Sequence, residues 1–72
     1  MLKIKDNIDL TELEKFGFKN KSDYVKICGY GGRVIVLKNN RELFMEELGC
    51  DATCYDTIYD LIKADMVEKV VE

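Results

Sequence analysis

The amino-acid sequence predicts an α+β domain, in which two helices pack on one face of a small and mainly antiparallel sheet. Three strand-like segments follow one another between residues 23 and 48, separated only by short turns that contain glycine or asparagine, which is typical of an antiparallel meander. Segments whose apolar residues recur at helical spacing flank this meander on both sides. The chain has 72 residues, and we expect 1–72 to form a single domain.

The first helix carries the clearest local signal, and the expected order of elements is β-α-β-β-β-α-β. Residues 2–5 alternate apolar and basic side chains, as a short edge strand does. Asp9 is a good N-cap and Glu12 completes a capping box, while Gly17 suits a left-handed helix end. These residues predict a helix over 10–16.

The meander is predicted to contain strands at about 23–29, 33–38 and 41–48. Between the last two, Asn39 and Asn40 favour a two-residue type I′ turn, because asparagine tolerates positive φ. The GYGG segment before the second strand is interpreted as a hairpin turn, since a phosphate-binding loop would have to lead into a helix.

The second helix is predicted to begin near Thr53 and to end near Asp65. Residues 66–71 are compatible with a last strand or with an extension of this helix, and their alternation of valine with charged residues favours the strand.

The expected core combines apolar residues from all of these elements: Leu2, Ile4, Leu10, Leu13, Phe16, Val25, Ile27, Val34, Val36, Leu43, Met45, Ile58, Leu61, Ile62 and Val67.

Composition indicates a folded protein without a membrane segment. Hydrophobic residues make up 47% of the chain and charged residues 35%, which is unlike a disordered tail. No apolar stretch approaches the roughly 20 residues that span a bilayer. Asp6 and Asp9 interrupt the N-terminal region where a signal peptide would be apolar. We therefore expect a cytoplasmic protein.

The side-chain inventory argues against catalysis and against a bound cofactor. The chain has no histidine, which removes the commonest general base and metal ligand, and its one serine, Ser22, lies in a predicted turn. Cys28, Cys50 and Cys54 could offer three thiolates, but no fourth cysteine or histidine completes a metal site. We predict a non-enzymatic protein with buried, reduced thiols and no metal or cofactor.

Charge is distributed unevenly along the chain. Residues 1–41 carry a net charge of +4 and residues 42–72 carry −7, which together give −3. Carboxylates four residues apart on the second helix share one face, and tyrosines at the same spacing lie beside them. The predicted partner-binding residues are four carboxylates and two tyrosines: Glu47, Asp51, Tyr55, Asp56, Tyr59 and Asp60. An acidic surface of this kind predicts a partner protein with a basic surface.

Two alternatives remain open beside this prediction. The basic N-terminal half could bind a small ligand or nucleic acid, although a pI near 4.9 opposes contact with phosphate. Alternatively, the chain could be a structural homo-oligomer, since a small domain gains stability when a homodimer hides additional apolar surface. The candidate nucleic-acid contacts are Lys15, Lys19, Lys21, Lys26, Arg33, Lys38 and Arg41.

Two segments, LKIKDNIDLTELEKFGFK and DTIYDLIKADMVEKV, resemble the ends of small proteins of unassigned function encoded by phages and prophages of Gram-positive bacteria. Together they cover about half of the chain. In those relatives a glycine commonly follows the alanine of the second helix, where this sequence has Asp65. The resemblance implies a mobile-element origin and transfers no active site. It also implies a protein that works in the cytoplasm of a host cell by binding and inhibiting or redirecting a host protein, such as a component of a bacterial defence system (an anti-CRISPR or other anti-defence role).

Overall fold

The structure, a computed structural model, describes residues 1–28, 31–46 and 53–70 and confirms the α+β class. The segment after the second helix forms a strand, as the alternation of valine with charged residues predicted. In chain order the elements are β1 (Leu2–Ile4), a 3₁₀ helix (Leu10–Phe16), β2 (Lys19–Asn20), β3 (Tyr24–Cys28), β4 (Gly32–Val36), β5 (Leu43–Glu46), α1 (Thr53–Lys63) and β6 (Val67–Lys69).

The strands form two antiparallel sheets. The larger sheet has the order β2-β3-β4-β5, and its last three strands are the predicted meander. The smaller sheet pairs β1 with β6, so it joins the two ends of the chain. A bridge between Lys3 and Glu42 connects β1 to the start of β5. Strand β2 was not predicted, because its exposed polar residues give no alternating pattern.

The first helix begins where the sequence predicted, although its geometry is 3₁₀. Asp9 has extended backbone angles, and its carboxylate accepts a hydrogen bond of 3.0 Å from the Thr11 amide. The reciprocal half of the capping box is replaced by an ion pair, in which the Glu12 carboxylate lies 2.7 Å from Lys15 Nζ. Asp9 is therefore the residue that caps this helix.

Replacing Asp9 with alanine should lower the Tm by about 5 °C at neutral pH, because the first turn loses its cap. Hydrogen bonds from Thr11 hold the pKa of Asp9 below its ordinary value of 3.8. The ionised carboxylate consequently stabilises the fold above pH 3.8, and this contribution is lost as the pH falls below that value. In thermal melts from pH 7 to pH 2, the difference in Tm between the wild type and Asp9→Ala should decrease in acid.

The matched control for this melt is Asp9→Asn, which keeps a capping oxygen but cannot titrate. We expect the gap between Asp9→Asn and Asp9→Ala to stay constant with pH. A gap between wild type and Asp9→Ala that persists unchanged at pH 2 would show that the charge of Asp9 does not stabilise the helix.

Both helices end in left-handed residues. Gly17 has a φ of 91°, and the amide of Phe18 bonds to the Leu13 carbonyl at 3.2 Å. Asp65 has a φ of 59° although it is not glycine, and its carboxylate lies 2.7 Å from Lys5 Nζ. The predicted end of α1 at Asp65 is confirmed, and an aspartate fills the position that glycine usually takes because it tolerates this conformation better than most residues.

The hairpin between β4 and β5 differs from its prediction. The expected two-residue turn at Asn39 and Asn40 is wrong, since Leu37 and Glu42 close a longer loop in which the Leu37 amide bonds to the Glu42 carbonyl at 2.9 Å. The left-handed residue of this loop is Arg41, with a φ of 65°. Arg41 determines the conformation of this loop, because hydrogen bonds hold its side chain against another segment of the chain.

Arg41 joins the loop to the N-terminal segment. Its guanidinium donates to the carbonyl oxygens of Lys5, at 2.9 Å, and of Ile8. Its own carbonyl accepts a hydrogen bond of 2.9 Å from the Ile4 amide. The side chain thus contributes hydrogen bonds to backbone carbonyls of the segment between β1 and the 3₁₀ helix.

One hydrophobic core lies between the larger sheet and the two helices. Of the expected core residues, Ile4, Leu13, Val34, Val36, Leu43 and Leu61 are buried. Those that are only half-buried are Leu2, Leu10, Phe16, Val25, Met45, Ile58 and Val67. The core also contains Phe18, Tyr24 and Met66, which were not predicted, and the side chains of Cys28 and Cys54, whose burial was predicted.

The prediction is wrong for two residues that were expected in the core and are exposed, Ile27 and Ile62. Ile27 is exposed because the inward-facing residues of β3 are Tyr24 and Cys28, so Ile27 lies on the opposite face of the sheet. Ile62 is exposed because α1 turns Leu61 toward the core instead. In each case neighbouring positions are apolar, and only one of them can face inward.

Candidate functional site

Helix α1 lies directly on the larger sheet. Its inward-facing residues Cys54, Thr57 and Leu61 are buried, and Thr57 Oγ1 lies 3.7 Å from the sulfur of Cys28 in β3. The helix approaches β4 so closely that a Cβ added to Gly32 would lie 2.8 Å from Cys54 Sγ. The inner side of α1 is therefore fixed to the sheet, which holds the outer surface of the helix in a defined position.

The outer surface of α1 carries an apolar stripe. Tyr55, Tyr59 and Ile62 have exposed fractions of 56%, 62% and 51%. Their spacing of four and then three residues places them on one side of the helix. Half-buried Ile58 lies between this stripe and the core, so the apolar side of α1 extends beyond what the fold covers.

Carboxylates border this stripe. Asp56 and Asp60 are exposed and lie four residues apart, so both project from the same side of α1, next to the tyrosines. Within the described ranges neither carboxylate belongs to an ion pair. Their charge is thus not neutralised by the chain's own lysines and arginines in those ranges.

The structure brings together most of the predicted partner-binding residues. Tyr55, Asp56, Tyr59 and Asp60 share the outer surface of α1, whereas Glu47 and Asp51 lie outside the described residues. We call Tyr55, Asp56, Tyr59, Asp60 and Ile62 the α1 outer face. Sequence reasoning missed Ile62 as a member, although its spacing of seven residues from Tyr55 could have indicated the shared stripe.

Several cations of the N-terminal half have intramolecular partners. Arg33 pairs with Glu46 across β4 and β5 at 2.7 Å, and Lys15 pairs with Glu12 at 2.7 Å. Such pairing compensates the positive charge that a phosphate backbone would require.

The ammonium group of Lys38 makes several contacts within the fold. It donates to the Asn20 side chain and, at 2.7 Å, to the carbonyl oxygen of Lys21. The same ammonium lies 5.3 Å from the centre of the Tyr24 ring. Lys15, Arg33 and Lys38 therefore each have a partner within the fold.

A shallow groove of about 540 Å³ separates the 3₁₀ helix from the end of α1. Its apolar floor includes Ile8, Phe16 and Met66, and its rim includes Asp9 and Glu12. Both rim carboxylates already have partners, in the helix cap and in the ion pair with a lysine. The rim therefore offers little uncompensated charge for a ligand.

The cysteines within the described ranges lie in the core. Cys28 and Cys54 are buried thiols that take part in no disulfide, and Cys50 lies outside those ranges. Among residues 1–28, 31–46 and 53–70, no group of three His, Cys, Asp or Glu side chains is arranged to hold a metal ion.

Comparison of the chain with protein-family models, curated proteins and solved structures found no match. In the part of the chain that the structure describes, no helix combines the length and the apolar character needed to cross a membrane.

Proposed function

We propose that this chain is a non-enzymatic, phage-derived protein that binds a host protein through the α1 outer face and inhibits or redirects it. One observation carries the proposal: three large apolar side chains, Tyr55, Tyr59 and Ile62, are exposed on one stripe of a helix that is anchored to the sheet. The resemblance of both chain ends to phage and prophage proteins supports the origin and the host target, for which a bacterial defence component is the proposed class.

The composition of the α1 outer face suits protein binding. Tyrosine is enriched among residues that dominate binding energy, because its ring buries a large area while its hydroxyl keeps a hydrogen-bond partner. The helix is already folded, so binding does not have to order it, and less of the contact free energy is lost to entropy.

The flanking charges select the kind of partner. Asp56 and Asp60 add negative charge beside the apolar stripe, in a half of the chain whose net charge is −7. A partner with a basic surface around an apolar hollow would match both features. Long-range attraction would speed the encounter and weaken as salt rises, since exposed charges are screened over about 8 Å at physiological ionic strength.

Reversal of Asp56 and Asp60 to lysine should weaken binding about tenfold without unfolding the domain, because both carboxylates are exposed. The partner would first be captured from host lysate with tagged chain and identified by mass spectrometry. Its Kd and its association rate constant would then be measured for wild type and variant by surface plasmon resonance at two salt concentrations. The loss should come mainly from slower association and should shrink at high salt.

The control variant reverses Lys19 and Lys21, two exposed cations distant in sequence from α1, to glutamate. It should bind the captured partner as the wild type does. If the lysine reversals abolish binding and the aspartate reversals do not, the α1 outer face is not the binding surface and the basic half takes its place.

A further inference from the structure

The larger sheet has a second face, which points away from α1 and carries apolar side chains. Residues directly opposite one another on neighbouring strands point to the same face, so Val25, Ile35 and Phe44 form a row across β3, β4 and β5. Ile27 lies beside this row and is 66% exposed, while Phe44 is 38% exposed. We call these four residues the open sheet face.

A hollow and an aromatic ring lie at opposite edges of the open sheet face. The hollow, of about 270 Å³, is lined by Gly17, Lys19, Lys21, Val25 and Ile27 at the β2 edge. The ring of Phe44 belongs to β5 at the other edge, three strand spacings or about 14 Å away.

We propose that the open sheet face is a self-association surface, which packs against the same face of a second copy of this chain. A two-fold axis that runs parallel to the strands between β3 and β4 places the β5 edge of each copy over the β2 edge of the other. Phe44 of each copy then approaches the hollow of the other, and a hollow of this volume accommodates an aromatic ring. An isologous pair of this kind closes on itself and forms a dimer.

The charges at the edges of the sheet match the same arrangement. Lys19 extends the apolar row at the β2 edge, and Glu46 lies on the same face at the β5 edge. The two-fold axis brings each lysine toward the glutamate edge of the other copy. Glu46 already pairs with Arg33 at 2.7 Å, and its carboxylate has further acceptor positions that can receive the lysine of the other copy.

Self-association through this face leaves the α1 outer face accessible. The helix packs on the opposite face of the sheet, where Cys54 contacts the position of Gly32. A dimer would therefore present two copies of the α1 outer face to its surroundings. The sheet face is small, so we expect dissociation constants in the micromolar range or weaker.

Sedimentation equilibrium of the full chain from about 10 μM to 1 mM tests the proposal, in the concentration range where weak interfaces become populated. The wild-type mass should rise from 8.3 kDa toward twice that value. The double variant Ile27→Asp with Phe44→Ser should raise the dimer Kd at least about 100-fold, because each residue occurs twice in the interface. Far-UV circular dichroism should show that this variant stays folded. The matched variant Tyr59→Ser alters the α1 outer face and should leave the dimer Kd unchanged.

A wild-type chain that remains at 8.3 kDa at every concentration overturns the proposal, and so does a dimer that survives the Ile27→Asp, Phe44→Ser variant. Binding of a single-stranded oligonucleotide by monomeric chain, lost on reversal of Lys19 and Lys21, would assign this face to nucleic acid and would also overturn it. None of these results depends on the α1 outer face, so each is distinct from a failure of the proposed host-protein binding.

Discussion

Leu61→Ala is expected to lower the free energy of unfolding by about 2–5 kcal/mol, which approaches or exceeds the whole stability of a domain of this size. Leu61 is fully buried in the core between α1 and the larger sheet. Its removal takes a branched side chain out of a packed interior and leaves a cavity that the short elements around it cannot close. Urea denaturation followed by circular dichroism at 222 nm measures the loss.

The adjacent residue supplies the control for this variant. Ile62→Ala removes a side chain of equal size from the exposed side of the same helix turn, and we expect the free energy of unfolding to change by less than about 0.5 kcal/mol. If both variants lose the same stability, α1 is rotated relative to the structure. In that case the α1 outer face would not exist as described.

Much of the fold could be predicted because its signals are local. Asp9 and Gly17 mark the ends of the first helix through interactions within a few residues, and the structure contains both. The meander follows from short turns between strand-like segments, since such turns leave only antiparallel neighbours. These features depend little on the rest of the molecule, which is why the α+β class was accessible from sequence.

The face of the sheet or helix on which each side chain lies was harder to predict from sequence. In β3 the sequence YVKIC has apolar residues on both faces, so alternation alone does not decide whether Ile27 or Cys28 faces the core. In α1 the apolar residues cover a wide arc of the helix, and the same ambiguity arises between Leu61 and Ile62. Tertiary packing decides both cases, and it exposes the side chains that form the α1 outer face and the open sheet face.

The hairpin turn failed as a prediction for a different reason. Asn39 and Asn40 satisfy the local preference of a type I′ turn. The observed loop instead gives the left-handed conformation to Arg41, whose guanidinium is bonded to carbonyls of a segment more than thirty residues away. Those long-range hydrogen bonds offset the strain of the left-handed conformation at Arg41. They cannot be predicted from the residues that neighbour the turn in sequence.

The contact between α1 and the sheet has a simple geometric test at Gly32. A methyl group at this position would lie 2.8 Å from Cys54 Sγ and 3.4 Å from the Glu46 carbonyl oxygen. Gly32→Ala should therefore lower the free energy of unfolding by about 1–3 kcal/mol through overpacking. Alanine is intrinsically better than glycine within a strand by about 0.5–1 kcal/mol, so a net loss has to come from the contact with the helix.

A double-mutant cycle with Cys54→Ala separates this contact from other effects of the substitution. Removal of the sulfur leaves room for the new methyl group, so Gly32→Ala combined with Cys54→Ala should be more stable than the sum of the two single losses predicts. We expect a coupling of at least about 1 kcal/mol, obtained from urea denaturation of all four proteins. Losses that add within about 0.3 kcal/mol would mean that α1 does not rest on β4 at this point. The anchoring that holds the α1 outer face in place would then have to come from Leu61 and Thr57 alone.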